Sequence, residues 1–218
     1  MWFFRGKEPE GFKTYKKYRQ ISNELVTQVM QSAIMGPEWI TGAAKEIDIL
    51  RGKAIELEDE SENIAIMDFL LHDYRRDGKT LVETYAATAS LENPEQQAVL
   101  DGWLRGYTSL FRVAEISAAE RTLTLEDLLT AREPIALMDQ NMSQSTVSGL
   151  LLFTRVFPYE RFNMSSGNSF AFDAENEKPL LRKVKSLDQK LKIAHESSRR
   201  FVCFFRANRI LGLGVGYR

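Results

Sequence analysis

Between Lys13 and Met35 apolar residues recur every three or four positions, at Tyr18, Ile21, Leu25, Val29 and on to Ala33, which draws one apolar stripe along a helix. "GPE" at 36–38 ends that helix, and Pro37 suits the first turn of a second, where its missing N–H has no partner to lose. Trp39, Ile40, Ala43, Ala44, Ile47 and Leu50 give the second helix a core face, closed by Arg51-Gly52. "AIELE" at 54–58 reads as a short extended piece, and "DESE" after it offers a cap for a helix through "NIAIMDFLLHDYRR". Asp77-Gly78 then makes a turn, and a helix runs from Thr80 through "LVETYAATA". Another begins at Pro94, with Asn93 as its cap and Val99, Leu100, Trp103 and Leu104 as its buried stripe.

After Tyr107 the period changes. Short β-branched and apolar runs predict strands at Leu110–Ile116, Arg121–Leu125, Pro134–Met138, Leu150–Phe157 and Ser169–Phe172, joined by polar segments that include "DQNMSQSTVSG" and "YERFNMSSGN". Five short strands with mostly local connections fit a small antiparallel barrel, because closure removes exposed edges. Helical spacing returns in "EKPLLRKVKSLDQKLKIAHESSRRFVCFFRANRI", read as one helix with Leu180, Leu181, Val184, Leu187, Leu191, Ile193, Ala194, Val202 and Phe205 along one face. The expected fold is therefore α+β: a helical region over 1–107, a small antiparallel β-barrel of about five strands over 108–176, and a C-terminal helix with a glycine-containing tail over 177–218 that packs back on the first region.

The order of "MDFLLHDYRRDGKTLVETYAA", "AVLDGWLRGYTSLFRVAEI", "LTLEDLLTAREPIAL" and "SGLLLFTRVFP" resembles a group of uncharacterised bacterial proteins across about residues 66–173. Those proteins join an aromatic and acidic helical segment to a small β-barrel, and some carry a cysteine-rich SEC-C-type zinc motif. The resemblance implies the fold and brings no catalytic residue. Zinc binding does not carry over, since the cysteine cluster is absent here.

Composition narrows the chemistry. A single cysteine, Cys203, excludes an internal disulfide, and with only His72 and His195 beside it the chain lacks a nitrogen and sulfur zinc set; a reducing cytoplasmic location is expected. No run approaches the roughly 18 to 20 apolar residues of a membrane span, so no transmembrane segment is expected. Trp2, Phe3 and Phe4 are expected to pack on the folded body. The net charge of −1 hides a segregation: residues 1–19 carry six Lys and Arg against two acids, residues 178–218 carry eleven against two, and the middle holds −14. Basic ends of this kind either bind a polyanion or fold back on the acidic body, and the second is the preferred expectation.

Several motifs have plainer explanations than the chemistry they suggest. "DGKT" at 77–80 ends like a phosphate-binding loop, but the glycine required five residues earlier is Asp73, so a turn is the better reading. "GLGVGYR" has no helix after it to direct N–H groups at a phosphate, and "ELEDESE" lacks the ligand spacing of a calcium loop. Cys203 reads as a buried structural thiol, and His195 as a surface helical residue. His72 and Asp73 are adjacent, which on a helix points them about 100° apart and disfavours a direct pair. No catalytic, cofactor or metal site is assigned, and no cofactor is expected. The functional expectation is a non-enzymatic protein-binding scaffold or regulatory protein, with another protein as partner. The alternative is a nucleic-acid contact by the barrel and the basic C-terminal segment, with Lys183, Lys185, Arg199, Arg200 and Arg206 as candidate polyanion contacts and a phenylalanine of 201, 204 or 205 free to stack on bases. An enzyme of unrecognised type is the third reading.

Overall fold

The computed structural model describes residues 8–32 and 34–213; Trp2, Phe3, Phe4 and the glycine tail from Gly214 lie outside the described residues. Helix α1 (Phe12–Gln31) buries Ile21, Leu25 and Val29 of the stripe that its spacing predicts, leaves Tyr18 half-buried and adds Phe12 and Tyr15 to the core, while Ala33 lies outside the described residues. Pro37 opens α2 (Pro37–Glu46), as expected, but α2 stops before Ile47. Ile47 and Ile49 are fully buried on either side of Asp48, whose positive φ of 68° turns the chain into a small hairpin of β1 (Leu50–Arg51) and β2 (Ala54–Ile55). Two apolar side chains spaced by two cannot share a helical face, so burial of both ends the helix earlier than the apolar pattern alone suggests.

Helix α3 (Glu62–His72) ends at Asp73 rather than continuing to Arg76. The next residues form a second hairpin, β3 (Arg75–Arg76) with β4 (Lys79–Thr80), whose turn is Asp77-Gly78 with φ of 51° and 79°. Two successive positive φ values are what a two-residue hairpin turn requires, and Asp-Gly meets them with little strain. Thr80 then caps α4 (Leu81–Ala86) through a reciprocal box: the Glu83 N–H donates to Thr80 Oγ1 and the Thr80 N–H donates to the Glu83 carboxylate. Helix α5 (Pro94–Leu104) has the expected Asn93 cap and packs against α1 and α4. Its mid-helix Gly102 admits the ring of Tyr159, which a Cβ there would meet at 2.2 Å.

Five strands follow: β5 (Tyr107–Ser117), β6 (Thr122–Asp127), β7 (Ile135–Met138), β8 (Leu151–Pro158) and β9 (Asn163–Phe172), with the short helix α6 (Met142–Ser145) inside the connection expected to be irregular. The sheet closes on itself in the order β5-β6-β7-β9-β8, with β8 paired back to β5. It is mixed rather than purely antiparallel, because β7 meets β9 in parallel where Leu137 faces Asn163. β9 also starts six residues earlier than its apolar run: the polar stretch "NMSSGN" pairs with the second half of β8, setting Ser165 opposite Val156 and Met164 opposite Phe157. Alternation along β8 divides its side chains between two cores. Leu152 and Val156 join Phe111, Val113, Leu123, Leu125 and Leu137 within the sheet, while Leu151, Phe153 and Phe157 belong to the larger core shared with the helices.

The C-terminal segment is two helices, α7 (Glu177–Asp188) and α8 (Glu196–Leu211), not one. A continuous helix over 177–210 would run about 50 Å and could not bury both apolar faces on one small body. The break lets α7 and α8 pack together, and Arg199 spans it, donating to Asp188 Oδ1 at 2.6 Å and to the Ile193 carbonyl at 2.9 Å. As expected, α8 packs back on the first region and on the sheet. Phe201 meets Phe69 of α3 at 5.1 Å, and Phe204 stacks on Phe153 of β8 at 4.1 Å with 10° between planes.

Because Phe204 is fully buried in that stack, Phe204→Ala is expected to lower stability by about 3–5 kcal/mol, read as a fall in the urea midpoint. A loss below about 1 kcal/mol would contradict this seat for α8, since an aromatic deletion from a filled core costs more than that.

Candidate functional site

β8 is buried along both faces, so a charged side chain within it needs partners. Arg155 is that side chain. It sits in the core-facing row with Phe153 and Phe157 and is 4% exposed. Its Nε donates to both oxygens of Asp68 at 3.2 Å, and its Nη2 donates to Asp68 Oδ2 at 3.0 Å and to Asp73 Oδ2. Asp68 lies on the buried face of α3 and Asp73 follows that helix's last residue. The backbone N–H of Asp73 donates to the Phe69 carbonyl, and its own carbonyl accepts from Ser198 Oγ of α8 at 2.6 Å. One guanidinium thus ties a strand of the sheet to the end of a helix, and α8 is fastened to the same point.

The electrostatics of the two acids diverge. Burial pushes both carboxyls up, opposed by Arg155; for Asp68, held by three guanidinium hydrogen bonds, Arg155 prevails and the pKa lies below the ordinary carboxylate value. For Asp73 burial wins, aided by repulsion from Asp68, and the pKa is raised. Burial disfavours charge on Arg155, yet the two carboxylates hold it protonated. His72 is pushed down to about 3, first by burial and then by Arg155, so its imidazole is neutral. Its ring meets Trp103 edge-on at 5.4 Å and packs on Phe157 at 5.2 Å.

Two cavities flank this network, and His72 and Trp103 line both. The larger, about 270 Å³, has Asp73, Arg75, Thr108, Arg155 and Arg200 among its walls; the smaller, about 150 Å³, reaches Arg19, Asp68 and Ser165. Beside the smaller cavity Arg19 of α1 donates to Asp139 Oδ2 at 2.9 Å and to Ser165 Oγ at 2.8 Å, a second polar tie between helix and sheet. Four residues of the larger cavity's wall each keep a buried polar atom with no protein partner: Asp73 Oδ1, Arg75 Nε, Trp103 Nε1 and Thr108 Oγ1. Buried polar atoms are normally paired, so four unpaired atoms in residues that line one cavity are unusual, although all four are sealed from the cavity space itself.

The five candidate polyanion contacts are not brought together as one set. Arg199 and Arg200 pair with Asp188 and Glu196 within their own segment, Arg200 also donates to the Thr108 carbonyl, and Arg206 lies 3.7 Å from Asp48. Lys183 and Lys185, on α7, have no ion-pair partner among the described residues, nor have Lys178, Arg182, Lys190 and Lys192. Phe201, Phe204 and Phe205 are buried and unavailable to bases. Cys203 is buried as expected, its thiol pushed up to about 11 chiefly by burial. His195 is exposed but stands at the cap of α8, in extended conformation, rather than within a helix. "ELEDESE" serves packing: Glu62 is buried and takes Arg209 Nε at 2.7 Å. Among the described residues no cluster of three or more His, Cys, Asp or Glu is arranged to hold a metal ion, and no helix is long and apolar enough to cross a membrane.

Asp68, Asp73 and Arg155 do not stand out as a set in the sequence. The available signal is a lone arginine inside the apolar run "LLFTRVF" together with acids on the apolar face of "IAIMDFLLHD". A protein-family model described as a family of unknown function (DUF7986) matches residues 10–218. No curated protein and no solved structure matches the chain.

Removing Arg155 strands two buried acids, so Arg155→Met is expected to cost about 3–5 kcal/mol, whereas Asp73→Asn relieves a surplus charge and is expected to cost far less. The pH dependence follows from the shifts. His72 and Asp68 bind fewer protons folded than unfolded, so their stability is complete above His72's ordinary value of 6.5 and drains as pH falls toward about 3. Asp73 acts oppositely, its contribution being lost as pH rises through its raised pKa. His72→Gln should flatten the fall in urea midpoint between pH 6.5 and 3; an equally steep fall in the variant would contradict a neutral imidazole.

Proposed function

The chain belongs to a family of unknown function, DUF7986, and for it we propose a non-enzymatic regulatory role exercised by binding a small polar molecule in the larger cavity. The observation that carries this reading is the cavity itself, whose walls include the charged and polar residues His72, Arg75, Glu83, Thr108, Arg155 and Arg200. At about 270 Å³ the cavity falls just below the roughly 300–1,000 Å³ of drug-sized sites, which suits a compact ligand. The wall is assembled from the end of α3, the β3–β4 hairpin, α4, α5, β5, β8 and α8, so a ligand there would touch both the sheet and the helices around it. That position supports regulation of a partner protein through the relative seating of those elements.

A second reading, contact with nucleic acid, is favoured by one arrangement. Lys178, Arg182 and Lys185 are exposed at spacings of four and three on α7, which aligns them on one side of the helix with no carboxylate partner among the described residues. The cations would contact phosphates without stacking aromatics, giving binding without sequence preference.

The cavity reading is tested by thermal denaturation in the presence of a deproteinised small-molecule extract of the source cells. A rise in Tm is expected, and Thr108→Phe, which puts a ring at the cavity wall, should abolish it; an unchanged Tm, or an equal rise in the variant, would count against the reading. For the second reading, single-stranded oligonucleotide affinity should fall with salt. When Lys178, Arg182 and Lys185 become Ala, the slope should shrink by roughly 0.7 for each phosphate that is no longer neutralised. An equal reduction on changing Arg199, Arg200 and Arg206 to Ala would show that the α7 row is not what meets the phosphates.

A further inference from the structure

Helix α8 crosses the sheet from one side to the other. Near its start Arg200 donates to the Thr108 carbonyl of β5, midway Phe204 stacks on Phe153 of β8, and past its end the Leu213 N–H donates to the Ala171 carbonyl of β9 at 2.8 Å. The chain thus leaves α8 at the far edge of β9, where the sheet closes least completely: β7 pairs with β9 only where Leu137 faces Asn163. The Ala171 carbonyl takes its partner from outside the β8–β9 pair, so it points away from β8, and in an antiparallel pair the residues that point away recur at every second position. Ser169, paired with Thr154 before the ladder becomes irregular, therefore turns its N–H and C=O to the same open side. Among the described residues no backbone bond from outside the sheet meets them, and side chains reach the backbone of β9 only at Ser165 and Asn168.

The sequence at that exit has the matching pattern. From Leu211 it reads "LGLGVGY", apolar at 211, 213, 215 and 217 with glycine between, and strict alternation is the period of a strand. A parallel course from the Leu213 bond would run off β9 at Asp173, where the chain turns into a short 3-10 helix at Ala174–Asn176. An antiparallel course runs back along the open edge and sets Gly214 opposite Phe170 and Val215 opposite Ser169. Opposed residues of an antiparallel pair share a face. Val215 then stands on the side of Ala171, which packs on the inner aliphatic core, and Gly214 on the side of Phe170, which α8 fills with Phe201 and Phe205. Glycine is the residue that admits close approach on the crowded side. We propose that residues 213–215 add to β9 of their own chain as a sixth, antiparallel strand of the sheet. They cover the edge that β7 leaves open and keep it from templating association with a second copy.

Amide hydrogen exchange followed by NMR tests the pairing. The full chain is compared with one ending at Leu213 and with Val215→Pro, which removes the N–H that the Ser169 carbonyl would accept. In both variants the Ser169 amide is expected to exchange about tenfold or more faster than in the full chain, the scale of losing one local edge pairing. Phe170, whose N–H is turned to β8, should keep its rate. An unchanged Ser169 rate in the variants would overturn the proposal. So would an acceleration shared equally by Phe170, since that reports loss of the sheet rather than of one edge. Protection of Ser169 in the full chain that disappears on dilution would assign the added strand to a second copy and overturn the pairing within one chain. Sedimentation of the shortened chain is expected to show association that grows with concentration; a shortened chain no more associated than the full one would overturn the guarding role.

Discussion

A guanidinium buried inside a strand dictates much of what surrounds it. Arg155 cannot be left in the core without acids, so α3 must deliver Asp68 from its apolar face and must stop where Asp73 can reach the same group. That requirement fixes how far α3 runs and which side of β8 faces the helices. It also fixes where α8 enters, since Ser198 closes on the Asp73 carbonyl. An ion network of this kind adds little net stability compared with a well-packed apolar core, and its value lies in admitting one arrangement of strand and helix.

The packing built on that arrangement has two centres. One is the interior of the closed sheet, filled by aliphatic residues and Phe111; the other is the larger core in which the outward row of β8 meets phenylalanines of α3, β9 and α8. Between the aromatic core and the surface the side chains become polar, and there the two cavities open on either side of His72 and Trp103. The same surplus of acid over base that holds Arg155 in place leaves Asp73 Oδ1 buried without a hydrogen-bond partner.

Much of the architecture is legible in the chain. Pro37, Asn93 and Pro94 mark helix starts by local chemistry, and the change from helical to alternating spacing after Tyr107 locates the sheet. What the sequence hides depends on partners distant along it. The polar run "NMSSGN" becomes strand because β8 needs a neighbour and because Asp139 and Arg19 satisfy Ser165. The C-terminal break near Lys190–His195 carries no glycine or proline to announce it, and emerges only when two short helices must bury their faces together. The site is hidden for a related reason: Asp68 and Arg155 lie 87 positions apart, and each looks ordinary alone. The mean charge of the basic C-terminal segment is equally uninformative, because its α8 arginines are paired and its α7 lysines are not.

The central claim is that one arginine fully compensates Asp68 and leaves Asp73 in surplus. Carbon-13 NMR titration of the two side-chain carboxyls tests it most directly. The account predicts that they part company, Asp68 titrating below the ordinary aspartate value of about 3.9 and Asp73 above it. Two carboxyls that titrate together near that value would contradict the buried network and the site that depends on it.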